Sequence, residues 1–381
     1  MSVAARLPRW ADVALLPAVT VASAFVVAGL VVLAIGQNPL EATRILLVGA
    51  FGSWEGLGYT LYYATSFMFA GLAVAVAFHA GLFNIGVDGQ AYVAGLGALA
   101  VAHALGFLPA PLLATATVLA MAAVAAAYAL VPAWLQAKRG SHVVITTIML
   151  NYVASALMGW LLVRVFIEPG QMNAQTSRLP PGSDMPEFWR IASWLGADAP
   201  KTPLNLSILL AGLAGVGVWA LLWRSRLGFR LRAFGANPAA AHYGGVSSTA
   251  ITLQAMAISG ALASGLAVNA ILGQEHRLIL DFTAGFGFVG IAVALMGRGH
   301  PAGIALAALL FGTLYQGGEE LAFDMPSISR DMVVLIQGLV VLFAGAMENA
   351  FRGPLAAAIA GFGRAEPPAP TSVAAETRAD G

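Results

Sequence analysis

Residues 58–79, GYTLYYATSFMFAGLAVAVAFH, contain no Asp, Glu, Lys or Arg. A helix that crosses a bilayer needs about 20 predominantly apolar residues, and this run supplies them. Nine further runs of the same kind predict an all-α integral membrane protein, a polytopic bundle of about ten transmembrane helices. These runs are residues 13–35, 89–109, 110–134, 143–167, 205–223, 248–272, 281–297, 302–320 and 331–350.

The overall composition agrees with a membrane protein. Hydrophobic residues make up 59% of the chain and charged residues 10%, whereas soluble domains carry about 25% charged residues. So few charges could not cover a water-soluble surface of this size. The net charge of +1 gives no indication of a nucleic-acid partner. The chain has no cysteine, which excludes disulfides, thiolate metal sites and cysteine nucleophiles.

Basic residues orient the chain, because Lys and Arg favour cytoplasmic loops. The short stretch 224–232 contains four arginines, and ten spans then place both termini in the cytoplasm. We expect the chain to lie in the bacterial inner membrane. The predicted organisation is a cytoplasmic N-terminus at 1–12, one transmembrane domain at 13–350 with an outer loop at 168–204 and a cytoplasmic loop at 224–247, and a cytoplasmic tail at 351–381 with a disordered end.

The chain lacks the common catalytic motifs. A phosphate-binding P-loop needs Gly-Lys-Ser/Thr, and neither Lys138 nor Lys201 follows a glycine. The histidines show no close metal-ligand spacing, and no GxSxG nucleophile motif is present. We therefore predict no catalytic residue, no metal site, no cofactor bound by this chain and no ATPase motif of its own.

The segment GLFNIGVDGQAYVAG, residues 81–95, places Phe83, Asn84, Asp88 and Gln90 between two apolar runs. Its glycines make a continuous helix unfavourable, and a broken helix at membrane depth is tolerated where it lines a cavity or is buried in protein. The segment is thus either a cavity-lining connection or an ordinary turn. Asp88 is either functional, since a carboxylate near lipid is costly, or a cap of the helix that follows.

Two more segments carry polar residues with a possible function. Thr147 and Asn151 are four residues apart and share a helix face, which could hydrogen-bond a solute or another helix. In the basic segment 224–246, Asn237 is predicted to cap a short helix that starts at Pro238. Such a helix needs a packing partner, so the segment either docks another protein or only fixes the topology.

Glycines also interrupt the apolar segment 284–303, which loosely echoes residues 80–95, either as an internal repeat or because of tight packing. Other polar residues are expected to play structural roles. Interhelical hydrogen bonds are predicted for His103, Gln254, Asn269 and Gln337, and solvation at an outer helix end for Gln274, Glu275, His276 and Arg277.

Four of these segments resemble one protein family. The sequence is similar to the permease subunits of ABC importers for ribose-type sugars, branched-chain amino acids and nucleosides, most of all to the nucleoside and simple-sugar branch. The resemblance covers roughly residues 15–350 and implies a type II ABC-importer-like fold. The matching segments are FNIGVDGQ at 83–90, VITTIMLNY at 144–152, LRAFGANPAAAHYGGV at 231–246 and GFGFVGIAVALMGRGHP at 285–301.

This resemblance implies a pore-forming subunit that imports a small polar solute by alternating access. A nucleoside is the expected solute and a simple sugar such as ribose the alternative. The expected partners are a cassette ATPase subunit that hydrolyses ATP, a second permease subunit (identical or different) and a periplasmic or lipoprotein solute-binding protein. The resemblance implies that Phe83–Gln90 lies close to the cavity and that Gly235, Asn237, Pro238, Ala239 and Ala240 form the ATPase coupling region. Together with the residues singled out above, the substrate-path candidates are Phe83, Asn84, Asp88, Gln90, Thr147 and Asn151, and the ATPase-coupling candidates are Arg232, Gly235, Asn237, Pro238, Ala239 and Ala240.

A secondary transporter driven by an ion gradient is the main alternative. Such a protein needs buried ionisable residues that carry protons or bind sodium. Only Asp88 and His103 are candidates for that role in this sequence.

Overall fold

The computed structural model describes residues 8, 11, 15–167, 170 and 172–362. Within these residues the chain is helical, with no strand and only two isolated bridges, which join Gln175 and Glu187 of the outer loop to Ile279 and Asn205. Two π-helical turns, Ala220–Arg224 and Val268–Glu275, extend helices that precede them. The helices are α1 Leu16–Ala34, α2 Pro39–Phe51, α3 Trp54–His79, α4 Val87–Ala104, α5 Ala110–Arg139, α6 Val143–Arg164, α7 Phe188–Trp194, α8 Ser207–Trp219, α9 Arg226–Ala236, α10 Pro238–Tyr243, α11 Ser248–Ala267, α12 Phe286–Met296, α13 Pro301–Asp324 and α14 Arg330–Phe362.

The sequence predicted one transmembrane domain over 13–350, and the structure divides the chain into two compact units. The larger unit, residues 32–337, is organised around α3, which packs against α11, α12 and α13, while α5 packs against α4 and α11. The smaller unit comprises the described residues up to Val31 together with those from Gly338 onward.

Small residues let the central helices of the larger unit approach closely. A Cβ atom on Gly260 of α11 would lie 2.6 Å from the carbonyl oxygen of Ala125 in α5. A Cβ on Gly290 of α12 would lie 2.8 Å from the carbonyl carbon of Ala70 in α3. Both distances are shorter than real Cβ contacts, so only glycine fits. Such crossings are typical of membrane helices, where packing replaces the hydrophobic driving force.

Each predicted span overlaps a helix, but some boundaries differ. Among the described residues, five helices are long and apolar enough to cross a membrane, or six if one broken pair counts as a single span. The predicted span 281–297 is wrong at its start, because Asp281 and Ala284 have positive φ and α12 begins only at Phe286. Helix α2 was not predicted.

The predicted cytoplasmic tail begins within a helix. Helix α14 continues through Phe362, so residues 351–362 are helical. The predicted disorder at the end of the tail falls on residues 363–381, outside the described residues, as does almost all of the predicted N-terminal segment 1–12.

Candidate functional site

The connection between α3 and α4 is a broken helix that folds back alongside α3. Helix α3 ends at His79 and α4 begins at Val87, and Gly81 adopts a left-handed conformation with φ of 70°. The Asn84 side chain donates a hydrogen bond to Ser259 Oγ (2.8 Å), which itself donates to the carbonyl of Ala73 (2.6 Å). Ala73 precedes the end of α3 by about 9 Å of helix axis. The predicted interruption of the helix is confirmed.

Asn84 and Gln90 close this connection by pairing their amides. The Asn84 amide donates to Gln90 Oε1 at 3.0 Å, and the Gln90 amide donates back to Asn84 Oδ1 at 3.1 Å. Asn84 Oδ1 also accepts the backbone N–H of Gly86 at 2.9 Å. Both side chains are almost fully buried, so the pair fixes the shape of the connection. Phe83 is half-exposed beside it and packs edge-on against Phe78.

Asn151 of α6 binds both ends of the same region. Its Oδ1 accepts the N–H of Gly89 at 3.0 Å, and its amide donates to the carbonyl of Ile85 at 2.9 Å. Thr147 lies next to Gly86, but its hydroxyl donates within its own helix, to the carbonyl of Val143. The shared face of Thr147 and Asn151 thus meets the broken connection, and the interhelical bond predicted as one alternative is present for Asn151.

Asp88 caps a helix other than its own. Its carboxylate accepts the N–H of Gly287 at 3.0 Å and the hydroxyl of Thr283 at 3.1 Å. Of the two alternatives for Asp88, capping of α4 is wrong, because Gly86 occupies that N-cap position without a side-chain bond. The carboxylate instead meets the free N–H groups and positive dipole end of α12. The similar segments 80–95 and 284–303 thus bring the N-termini of α4 and α12 into contact.

We expect Asp88→Ala to lower the free energy of unfolding by about 2–3 kcal/mol, because two hydrogen bonds to a charged acceptor disappear. Asp88→Asn should lose less, since its amide oxygen can still accept one bond. The thermal midpoint of the purified chain in detergent measures both effects. Asp198→Ala, an exposed carboxylate in the outer loop, is the matched control. Equal midpoints for Asp88→Ala and the control would contradict the capping role.

The predicted cytoplasmic segment forms two short helices with an exposed tip. Asn237 Oδ1 accepts the N–H of Ala240 at 3.0 Å, and Pro238 is the first residue of α10, so the predicted cap is confirmed. Helix α10 is six residues long, and Tyr243 at its end is 94% exposed. Exposed aromatic side chains such as tyrosine are enriched in protein–protein interfaces.

Helix α9 joins this exposed tip to the broken connection through backbone contact. A Cβ atom on Gly235 would lie 2.9 Å from the backbone nitrogen of Gly81 and closer still to the carbonyl oxygen of His79. His79 Nε2 also lies 3.1 Å from the carbonyl oxygen of Gly299. Arg232, on the same helix as Gly235, is half-buried. The helix that carries the tip is therefore in direct backbone contact with residues 79–81.

A second group of residues, which the sequence analysis missed, surrounds the start of α12. Phe286 packs against Phe67 at 5.0 Å, Tyr315 at 5.1 Å and Tyr63 at 6.0 Å between ring centroids. A cavity of about 340 Å³ opens beside Tyr63, with Gln316 and Glu319 in its wall. The signal that could have found it is the pair of carboxylates, Glu319 and Glu320, within an apolar run.

The outer loop is fastened by a charged cluster that also escaped prediction. His276 Nδ1 lies 3.1 Å from Asp184 Oδ1, and His276 Nε2 lies 3.7 Å from Glu187 Oε1. Arg190 in turn lies 2.5 Å from Glu187. The prediction that residues 274–277 are all solvated is wrong for His276, which is 8% exposed. The cluster ties α7 and its flanks to the end of the π-helical turn at 268–275.

Comparison with known proteins identifies the family. Residues 56–345 match the family described as the permease component of the branched-chain amino acid transport system. The chain belongs to this permease family. The permease is 33% identical to a glucose ABC transporter permease of Haloferax volcanii, over 86% of each chain. It is 32% identical to a guanosine ABC transporter permease of Bacillus subtilis, over 86% of this chain and 92% of the relative.

A nucleoside ABC transporter permease of Lactococcus lactis is 29% identical over 86% of this chain and 90% of its own length. No solved structure matches the permease. It is therefore a multi-pass membrane protein and an ABC importer permease of the nucleoside and sugar type, as the resemblance implied.

Proposed function

We propose that this permease carries a nucleoside through the inner membrane into the cytoplasm by alternating access, driven by a cassette ATPase that docks on α10. The observation that carries the proposal is the backbone contact of Gly235 with His79 and Gly81. It joins an exposed docking tip to a buried broken helix without any flexible side chain between them.

In this mechanism, ATP binding closes the cassettes of the partner ATPase and moves α10. Helix α9 then transmits the movement to residues 79–86. The hydrogen bonds of Asn84, Gln90 and Asn151 hold that connection in one conformation, so it moves as a rigid unit. The chain supplies the path and the lever and makes no covalent bond. A second permease subunit completes the path, and a solute-binding protein delivers the solute from outside.

We adopt the predicted topology of ten spans with both termini in the cytoplasm, in which the start of α12 would lie near the middle of the bilayer. In that topology α4 and α12 run in opposite directions, and their starts meet at Asp88 and Gly287. Broken helices whose N-termini meet near the midplane are typical of transporter binding sites. The cavity beside Tyr63 then faces the outer side.

The chemistry of this cavity supports a nucleoside as the solute. Tyr59 and Tyr63 offer ring faces on which a base can stack, and Gln316 and Glu319 can accept or donate hydrogen bonds to a base edge or ribose hydroxyls. A simple sugar is the second candidate, because the same carboxylates and rings also suit vicinal hydroxyls and an apolar sugar face. The names of the three relatives include both solute classes.

Affinity purification of the tagged chain from gently solubilised membranes tests the docking role. A cassette ATPase should co-purify with the native chain, and Asn237→Ala/Pro238→Ala should reduce its recovery at least about fivefold, since loss of a helix cap costs about 1 kcal/mol. Asn38→Ala/Pro39→Ala is the matched control, because it removes the same Asn-Pro cap from α2. Equal recovery with both variants would refute docking at α10. If no ATPase is recovered with the native chain under any mild condition, the importer mechanism is wrong.

A further inference from the structure

A basic pocket of about 460 Å³ lies where the π-helical turn Ala220–Arg224 meets the start of α9. Apart from one serine, the side chains around it are arginine or aromatic. Its lining includes Trp223, Phe229, Arg224, Arg226, Arg230 and Arg232. Phe229 is largely exposed at the mouth of the pocket.

The positive charge of this pocket is not neutralised within the described chain. Among residues 15–167 and 172–362, none of the four arginines has a carboxylate oxygen within 4.0 Å. The Nε of Arg232 is buried and has no hydrogen-bond acceptor there. A buried donor without an acceptor is uncommon in native proteins and calls for a specific explanation. An anion in the pocket would neutralise the positive charge of the arginines and give Arg232 Nε an acceptor.

Trp223, in the wall of the pocket, lies beside the ends of several helices. Its ring packs against His79, the last residue of α3, with centroids 5.3 Å apart. On another side it packs against His300, the residue before α13, at 5.0 Å. Three predicted spans thus end around this indole. Tryptophan is enriched at the membrane–water interface, which is where phospholipid headgroups lie.

An apolar stripe on α8 leads directly to the pocket. Leu209, Leu213, Val216 and Trp219 are spaced by three or four residues and all are exposed, so they form one face of the helix. At the end of the stripe, the Arg224 guanidinium lies 5.2 Å from the centroid of the Trp219 ring. The positive pocket and the apolar face are therefore continuous.

We propose that this pocket and stripe form a binding site for one anionic phospholipid. The arginines bind the headgroup phosphate, because guanidinium groups match phosphate oxygens in charge and geometry. The acyl chains lie along Leu209, Leu213 and Val216. Free phosphate shares the headgroup chemistry, but it would leave the apolar stripe uncovered. Arg226 and Arg230 lie toward the start of α9, whereas the docking tip α10 follows its other end.

Native mass spectrometry of the full-length chain in detergent tests the site. The probes are phosphatidylglycerol, phosphatidylcholine and inorganic phosphate. We expect phosphatidylglycerol to be retained in preference to phosphatidylcholine, and Arg226→Gln/Arg230→Gln to weaken its binding about 25-fold, at about fivefold per arginine. Both side chains are exposed, so folding should be unaffected. Arg164→Gln, an exposed arginine at the end of α6, is the control and should bind as the native chain does.

Each of the following outcomes would overturn the proposal. The first is equal retention of the two lipids, or equal binding by the double variant and the control. The second is displacement of phosphatidylglycerol by millimolar inorganic phosphate, which would indicate a free-anion site. The third is a double variant that keeps the lipid and loses the cassette ATPase on co-purification, which would assign the arginines to protein docking.

Leu213→Asn should weaken phosphatidylglycerol binding and leave phosphate binding unchanged, and the opposite result would contradict a role for the stripe.

Discussion

Replacing Gly235 with valine is expected to reduce solute uptake at least tenfold while the chain still inserts into the membrane. The new side chain would meet the backbone of His79 and Gly81, which cannot rotate away as a flexible side chain can. Overpacking of this kind costs about 1–3 kcal/mol. Because α9 would be pushed off the broken connection, movement of the docking tip would no longer reach residues 79–86.

Uptake of labelled nucleoside or sugar into proteoliposomes that contain the complete importer measures this effect. Gly212→Val is the matched control, since a Cβ on Gly212 of α8 meets nothing within 4 Å. ATPase activity should be recorded in the same vesicles, because an uncoupled importer keeps hydrolysing ATP without transport. Native uptake by Gly235→Val would exclude this contact as the lever.

Replacing Asn269 with leucine is expected to cause the largest loss of stability among single polar substitutions in the larger unit. Asn269 Oδ1 accepts hydrogen bonds from Asn205 (3.0 Å) and Ser207 (2.7 Å). Its amide donates to the carbonyl of Tyr62 (3.0 Å) and to Ser66 Oγ (2.7 Å). One side chain thus joins α3, the start of α8 and the π-helical turn. Its removal leaves four groups without their hydrogen-bond partner.

The expected loss is about 2–5 kcal/mol, since each membrane hydrogen bond contributes about 0.6–2 kcal/mol and the stranded groups are buried. The thermal midpoint of the purified chain, followed by size-exclusion chromatography after heating, measures it. Gln254→Leu provides the comparison, because Gln254 is an exposed amide on the neighbouring helix α11. A midpoint for Asn269→Leu no lower than that of Gln254→Leu would contradict the structural role of this network.

Features that depend on neighbours in sequence were predictable from the amino acids. The break after His79 follows from closely spaced glycines, and the cap at Asn237 follows from an Asn-Pro pair before three alanines. Both are local effects, in which a residue and its next few neighbours fix the backbone. The interhelical role of Asn269 was also expected, because a polar side chain within an apolar helix needs a partner.

Features that depend on distant residues were not predictable in this way. Asp88 bonds to Gly287, 199 positions away, and no local rule distinguishes that partner from the first turn of α4. His276 is buried only because the outer loop folds back over it with Asp184 and Glu187. Helix α12 is short because positive φ angles at Asp281 and Ala284 delay its start, although the run 281–297 is long enough for a span.

The carboxylate of Asp88 also limits how the transport path can open. Because Asp88 belongs to the first turn of α4 and caps the start of α12, separating these two helices would leave a negative charge without its donors in a poorly solvated place. That separation is costly compared with sliding of packed small-residue surfaces. We therefore expect the starts of α4 and α12 to move as one rigid body, with the path opening on either side of that body.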